Sequence, residues 1–258
     1  MCYGLPVAKT PAGTDNVHEV NRVGISAIVA AYNEEATIAN VLSALTRSPL
    51  IDEIIVVSDG STDRTVEISR SFDGVKTIAL RENRGKGYAM RVGVDNAAHD
   101  IMFFVDGDML NVTDDHIESL VLPVVEDACD MNIGVRHRGP VLDFLHLKMQ
   151  CGPVLSGIRV MRREVFDAVP AQYQEAFKIE AALNCFCSRN GYRQRHTVIR
   201  NLGHITKEVK RGFMPGLRSR WTMSREVFLL LFELHVFETW RWMPQEEPPV
   251  AVEYDLFE

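Results

Sequence analysis

The sequence predicts an α/β fold, a mostly parallel sheet with helices on both faces and a C-terminal helical segment. The first observation is a set of continuous, β-branched apolar runs of strand length, ISAIVAA (25–31), IIVVS (54–58) and IMFFV (101–105). Runs without polar alternation belong to strands buried on both faces, as in helix-covered parallel sheets. The second is that amphipathic helical segments stand between the runs, so strand and helix alternate as βαβ crossovers require. The third is that the later runs end on acids, Asp59 and then Asp106 and Asp108. In open α/β sheets ligands bind at the carboxyl ends of the strands, where these carboxylates stand.

Taken in order, residues 1–22 hold Gly, Pro, Thr, Asp and Asn without periodicity and read as an extension. The first strand, 25–31, is bounded by Tyr32 and Asn33. Helix 34–47 follows, with Ile38, Val41, Leu42 and Leu45 at helical spacing. The unit repeats as strand 53–58, helix 62–71, strand 75–80, helix 87–98 and strand 101–105. Beyond Asp108 the rhythm loosens into a helix at 113–127, a strand at 130–136 and an irregular segment at 137–152. SGIRVMRREVF (156–166) reads as a strand running into a short helix, 175–191 as a helix closed by Gly191, and 193–199 as a strand. Leu217, Trp221, Phe228 and Leu231 mark an apolar stripe over 215–240, suited to packing on the core or to resting on a membrane surface. The expected organisation is one catalytic domain over 23–240, between the extension 1–22 and an acidic, proline-rich tail at 241–258.

Composition narrows the function classes. The 258 residues, 46% apolar and 24% charged, suffice for one large core, and a net charge of −7 argues against a general nucleic-acid binder. Basic residues nevertheless crowd into 189–225, where Glu208 is the single acid. That segment suits a local anionic partner such as a phosphate, the plainer alternative being a solvated face. The five cysteines form no CxxC pair and read as reduced thiols. VFLLLF (227–232) is far short of the roughly 20 residues of a membrane span, and the N-terminus has no secretory pattern. A cytoplasmic protein is expected, peripheral at the inner face of the membrane at most; the oligomeric state is open, and a homodimer is compatible.

Four segments carry candidate chemistry. In AAYNEEA (30–36), Asn33 suits a cap for the next helix with Glu34 and Glu35 at its positive end, and the same edge suits a nucleoside contact by Tyr32 and Glu34. DGSTD (59–63) is a good turn with Thr62 or Asp63 free to cap a helix, while Asp59 could accept the ring N–H of a uracil or guanine. NRGKG (83–87) lacks the P-loop pattern, yet its glycines permit close backbone approach and Lys86 offers a point charge for a diphosphate. DGD (106–108) follows five apolar residues, so its carboxylates sit at the mouth of the sheet, where they can reach one hard divalent cation. His204, in NLGHITK, is a candidate third ligand that would suit Mn2+ better than Mg2+.

These four motifs, in this order, resemble family 2 of the nucleotide-sugar glycosyltransferases, which have the GT-A fold, over residues 24 to about 210. SGIRVMRREVF and FKIEAALN are most similar to the polyprenyl-phosphate sugar synthases of the dolichyl-phosphate mannose type, and NLGHITK is similar to the glucosyl-phosphoglycerate synthases. The resemblance implies a GT-A type, Rossmann-like sheet and a Mg2+ or Mn2+ cofactor. It assigns Ala31, Tyr32, Glu34 and Asp59 to the nucleoside, Lys86 to the diphosphate, Asp106 to ribose and metal, and Asp108 and His204 to metal. Arg136, His146 and Lys148 fall where those enzymes hold an acceptor phosphate, although an arginine expected in the second place is absent.

Breaking a sugar–phosphate bond releases a nucleoside diphosphate, whose developing charge a divalent cation and Lys86 can stabilise. Transfer to a neutral hydroxyl would also need a carboxylate base. The Glu-Asp pair usual in the family is missing, and Glu175 and Glu180 are the nearby substitutes. A phosphate acceptor is already anionic and needs no base. The expected reaction is therefore transfer of a sugar from a UDP- or GDP-linked donor to a phosphate-bearing acceptor, with Asp108, Glu180, Arg136 and Lys148 as catalytic candidates. Polyprenyl phosphate and a small phosphorylated acid are the alternative acceptors. A nucleotidyltransferase would normally show a glycine-rich loop after the first strand, where AAYNEE stands instead. A non-catalytic nucleotide-binding module would require DGD to be an idle turn.

Overall fold

A computed structural model describes residues 23–136, 156–174 and 178–204, with the backbone alone for Arg136, Lys178 and His204. The expected extension, the irregular segment holding His146 and Lys148, Glu175, the helix at 215–240 and the tail lie outside the described residues.

The strands are β1 (Ile25–Ala31), β2 (Glu53–Ser58), β3 (Val75–Ala79), β4 (Ile101–Asp106), β5 (Met109–Leu110), β6 (Met131–Arg136), β7 (Arg159–Arg162), β8 (Gln194–Ile199) and β9 (Gly203–His204). Seven form one sheet in the order β3-β2-β1-β4-β7-β6-β8, and β5 and β9 form a separate two-stranded ladder. In the large sheet β7 alone is reversed, antiparallel to both β4 and β6, while the remaining pairs are parallel. The expected mostly parallel sheet is thus present.

The helices are α1 (Ile38–Arg47), α2 (Thr65–Arg70), α3 (Lys86–Asp95), α4 (Asp114–Val125), α5 (Arg163–Asp167) and α6 (Lys178–Arg189). Alternation along β1 explains why its sequence is apolar throughout. Ile25, Ala27 and Val29 face Val41, Leu42 and Leu45 of α1 and Leu120 and Val121 of α4. Ile28 faces the other way, into a cluster with Met102, Phe104, Phe166 of α5 and Leu183 of α6. Ile55 and Val57 of β2 lie with Ala89 and Val92 of α3. Each buried face replaces water with close-packed apolar atoms, the dominant stabilising term of such a sheet.

Strand order fixes the site. From β1 the chain builds outward through β2 and β3, then returns to lay β4 on the opposite side of β1. The connection leaving β1 leads to β2 on one side and the connection leaving β4 leads toward β6 on the other, so their carboxyl ends mark the switch point, the crevice at which doubly wound sheets bind ligands. Ala30 of β1 is in register with Asp106 of β4, so the apolar runs deliver AAYNEE and DGD to the same rim.

Candidate active site

The first two motifs are tied together at that rim. Asp59 donates its N–H to the Ala31 carbonyl at 2.8 Å, and Gly107 donates to the Ala30 carbonyl at 3.3 Å. Asn33 does not cap α1. It takes a left-handed φ of 56°, its N–H donates to Ser61 Oγ at 3.1 Å, and its Oδ1 accepts the Thr62 N–H at 2.8 Å. The capping reading fails because a longer-range partner claims the side chain, and α1 starts only at Ile38. Asp63 is not the cap of α2 either, since Arg64 holds the N-cap position without a side-chain bond; its Oδ1 accepts the Thr65 N–H in a turn just ahead of the helix. Its Oδ2 also accepts the Glu35 N–H at 3.1 Å. The Glu34 N–H donates to Thr65 Oγ1 at 2.8 Å. Tyr32 is half-buried and Ala31 buried at the end of β1.

Asp59 is 4% exposed, and its two carboxylate oxygens accept the N–H groups of Arg84 and Gly85, each at 2.8 Å. Burial pushes its pKa up, opposed by those two N–H bonds. The side chain at the end of β2 therefore positions the NRGKG turn, and with it Lys86, the first residue of α3.

Lys86 occupies the centre of the crevice. Its Nζ lies 2.5 Å from Asp106 Oδ1 and 2.5 Å from Glu180 Oε1, joining α3, β4 and α6. Burial would lower the lysine pKa, but Asp106 and Glu180 outweigh it and hold the group well above the ordinary range, fully charged. Burial raises the Asp106 pKa; Lys86 opposes this, and Glu180 and Asp108 add to it. Negative charge exceeds positive charge here, the electrostatic setting that suits a further cation.

Backbone packing shapes the acidic turn. A Cβ on Gly107 would meet Ala31 Cβ at 3.1 Å and Glu34 Cγ at 3.3 Å, so DGD presses directly on the first motif. A Cβ on Gly157, just before β7, would fall 1.6 Å from Asp106 Oδ2, so only glycine leaves room for that carboxylate. Among the described residues no group of three His, Cys, Asp or Glu side chains is arranged to hold a metal by itself. Asp106 and Asp108 do fit the open kind of site that Mg2+ and Mn2+ accept, in which substrate phosphate and water complete the oxygen shell. His204 is brought close in the fold, because β9 pairs with β5 and sets His204 opposite Met109, the residue after Asp108.

The other candidates divide by position. Arg136 ends β6, which runs parallel to β4, so its backbone lies at the same carboxyl edge of the sheet as Asp106. Glu180, considered as an acceptor-side base, is engaged by the Lys86 ammonium. Sequence reasoning passed over Arg159, which is 1% exposed in β7. The available signal was an arginine standing between Ile158 and Val160 at the start of β7. Gly157 was also missed, since its role depends on Asp106, 51 positions earlier in the chain.

The lysine bridging two carboxylates stands at the switch point of the sheet, where doubly wound α/β folds bind their ligands. The chain belongs to glycosyl transferase family 2, whose family model matches residues 26–170. It is 32% identical over 126 residues to dodecaprenyl-phosphate galacturonate synthase of Rhizobium johnstonii, covering 45% of this chain and 37% of that protein. It is 30% identical over 105 residues to 4,4'-diaponeurosporenoate glycosyltransferase of Staphylococcus aureus, covering 39% of this chain and 28% of that protein. The matched regions thus span about a third of these curated relatives' length. Glucosyl-3-phosphoglycerate synthase from Mycobacterium tuberculosis, solved with Mn2+, UDP and glucosyl-3-phosphoglycerate, shares the fold with a TM-score of 0.68 at 24% identity, covering 83% of this chain and 80% of that one. The same enzyme has been solved with Mg2+ and UDP. The family, the GT-A type fold and both kinds of relative agree with the expectations from sequence.

Proposed function

We propose that this glycosyltransferase moves a sugar from a UDP- or GDP-linked donor to a phosphate-bearing acceptor, polyprenyl phosphate in the first instance. The observation that carries the reading is the Lys86 ammonium held between Asp106 and Glu180, beside Asp108. In this assignment Ala31, Tyr32, Glu34 and Asp59 form the nucleoside edge, and Lys86 stands toward the diphosphate. Asp106, Asp108 and His204 would hold Mg2+ or Mn2+, which when bound supplies positive charge to the departing diphosphate. Lys86 contributes a fixed positive charge to the same end, already desolvated and oriented before the reaction begins.

The acceptor class follows from Glu180. A general base must be able to take a proton, and this carboxylate is held by an adjacent ammonium at 2.5 Å. An acceptor that is anionic at neutral pH removes the requirement. Arg136, at the same sheet edge, and Lys148 are the proposed acceptor-phosphate contacts. The dodecaprenyl-phosphate synthase favours a lipid phosphate, whereas the M. tuberculosis enzyme, also solved with UDP-glucose and phosphoglyceric acid, favours a small phosphorylated acid as the second reading. Among the described residues no helix is long and apolar enough to cross a membrane.

The test is a transfer assay with UDP- and GDP-sugars, Mn2+ or Mg2+, and three acceptors: a polyprenyl phosphate in vesicles, 3-phosphoglycerate and a neutral sugar. Metal-dependent transfer to a phosphorylated acceptor supports the proposal, and the preferred one separates the two readings. Efficient transfer to the neutral sugar alone overturns it.

A further inference from the structure

We infer that Arg159 is a positioning residue for the transfer reaction, its guanidinium fixing from within the core the two backbone segments that set Asp106 and Glu180 on Lys86. The inference rests on the proposed function for its catalytic consequence, but not for its structural one. Arg159 heads the fully buried side chains by volume, and among the described residues no carboxylate pairs with it. Burying a guanidinium whose direct partners are carbonyl and amide oxygens, with the Glu180 and Asp106 carboxylates acting only at longer range, is costly, and an apolar side chain of similar volume would fill the space more cheaply. Its hydrogen bonds show what the charge holds.

Nε and Nη2 donate to the Ser156 carbonyl at 3.2 and 2.7 Å. Nη1 donates to the Glu180 carbonyl at 3.4 Å and to Asn184 Oδ1 at 3.3 Å. Ser156 directly precedes Gly157, the residue whose backbone backs Asp106 Oδ2, and Ser156 Oγ is itself held by the Gly134 carbonyl at 2.5 Å. Glu180 lies in the first turn of α6 and sends its carboxylate to Lys86. One planar group thus clamps the backing of Asp106 to the backbone of Glu180, and Lys86 joins the two carboxylates from the other side. A lysine at 159 would keep the charge but could not span both segments, because its donors radiate from a single atom.

The experiment compares Arg159→Lys, Arg159→Met, Glu180→Gln and the Arg159→Lys/Glu180→Gln double variant by two independent readouts. The first is acylation of Lys86 followed by mass spectrometry, with exposed Lys76 as the internal standard. The Lys86 side chain is 17% exposed and shielded in the wild-type protein. Loosening the clamp should raise its labelling about tenfold in each single variant, as local opening does, with little further rise in the double variant because both changes act on one unit. The second readout is kinetic: kcat should fall by about 10- to 100-fold with donor KM within about threefold, the signature of misplaced reacting groups. Unchanged Lys86 labelling in the Arg159 variants, even with a lowered Tm, would show Arg159 to be a core residue only and overturn the inference. Additive effects in the double variant would overturn it equally. Should the Arg159 variants fail to fold, Asn184→Ala removes one leg of the clamp, and a Lys86 labelling rate equal to wild type then refutes it. A wild-type protein that transfers no sugar would defeat the proposed function, while the labelling result still decides the role of Arg159.

Discussion

Gly157→Ala is the substitution whose outcome follows most directly from geometry. Gly157 is absent from the positive-φ positions, so alanine meets no backbone strain there. Restricting the unfolded chain would by itself add about 0.4 to 1 kcal/mol of stability. Against this, the new Cβ would lie 1.6 Å from Asp106 Oδ2 and 2.2 Å from Asp106 Cγ. To restore ordinary contact at 3.4 Å, that oxygen must retreat by about 1.8 Å, the difference between the two distances. The carboxylate cannot move so far and keep its 2.5 Å pairing with Lys86. Overpacking of this kind costs about 1 to 3 kcal/mol, so the net loss of stability should be about 0 to 2.6 kcal/mol, read by urea denaturation. Function should suffer more, because misplacing a reacting group by about 1 Å costs on the order of a hundredfold in rate. Gly107→Ala is the comparison: its Cβ would meet neighbours at 3.1 to 3.4 Å, which shifts of a few tenths of an ångström can relieve. A Gly157→Ala protein with wild-type kcat and an unaltered metal response would refute the reasoning, since Asp106 would then not need its present place.

Asp108→Ala should leave the fold intact and abolish metal-dependent turnover, because water alone does not replace a carboxylate ligand to a hard cation; near-normal activity with Mn2+ would defeat the metal assignment. Asp59→Asn keeps the shape but leaves a single side-chain oxygen where Arg84 and Gly85 both donate, so the NRGKG turn should slacken and nucleoside-diphosphate affinity fall about tenfold by calorimetry. Equal affinity would leave Asp59 as a turn residue without influence on the nucleotide. Arg193→Met tests the acid limb of stability: hydrogen bonds from Arg193 hold the Asp127 and Asp130 carboxyls below their ordinary pKa. Depressed folded-state values mean that the unfolded chain binds more protons, so this contribution is present above the ordinary value of 3.8 and is lost as pH falls through the folded values. Removing Arg193 should raise the pH of acid unfolding without altering kcat, and an unmoved acid midpoint would show the pairs to be energetically idle.

Much of the fold was legible because its information is local. The apolar runs 25–31 and 54–58 end where β1 and β2 end, and the run 101–105 stops one residue before the end of β4, so Asp59 and Asp106 must stand at the sheet rim whatever their partners are. The helix expected at 175–191 was readable from Gly191, whose φ of 75° lies two residues past the end of α6 at Arg189. The β5–β9 ladder was not readable, since two residues at 109–110 carry no periodicity and their partner lies at 203–204. Asn33 failed as a cap for the same reason: capping is the best partner available locally, and the actual partner at Thr62 becomes visible only once β1 and β2 are side by side.

The candidate site divides along the same line. DGD and Lys86 could be named from sequence, but their relation could not, because Lys86 meets Asp106 across 20 positions and Glu180 across 94. That relation changes the chemistry assigned to Glu180. A carboxylate named for its type is a candidate base, whereas one placed against an ammonium that it helps to keep charged is poorly suited to remove a proton. Its consequence reaches the acceptor: with Glu180 committed to Lys86, a substrate that arrives already ionised needs nothing further from this side of the crevice. On the proposed reading, Arg136, whose backbone ends β6 at the same sheet edge, is the first place to test for acceptor specificity.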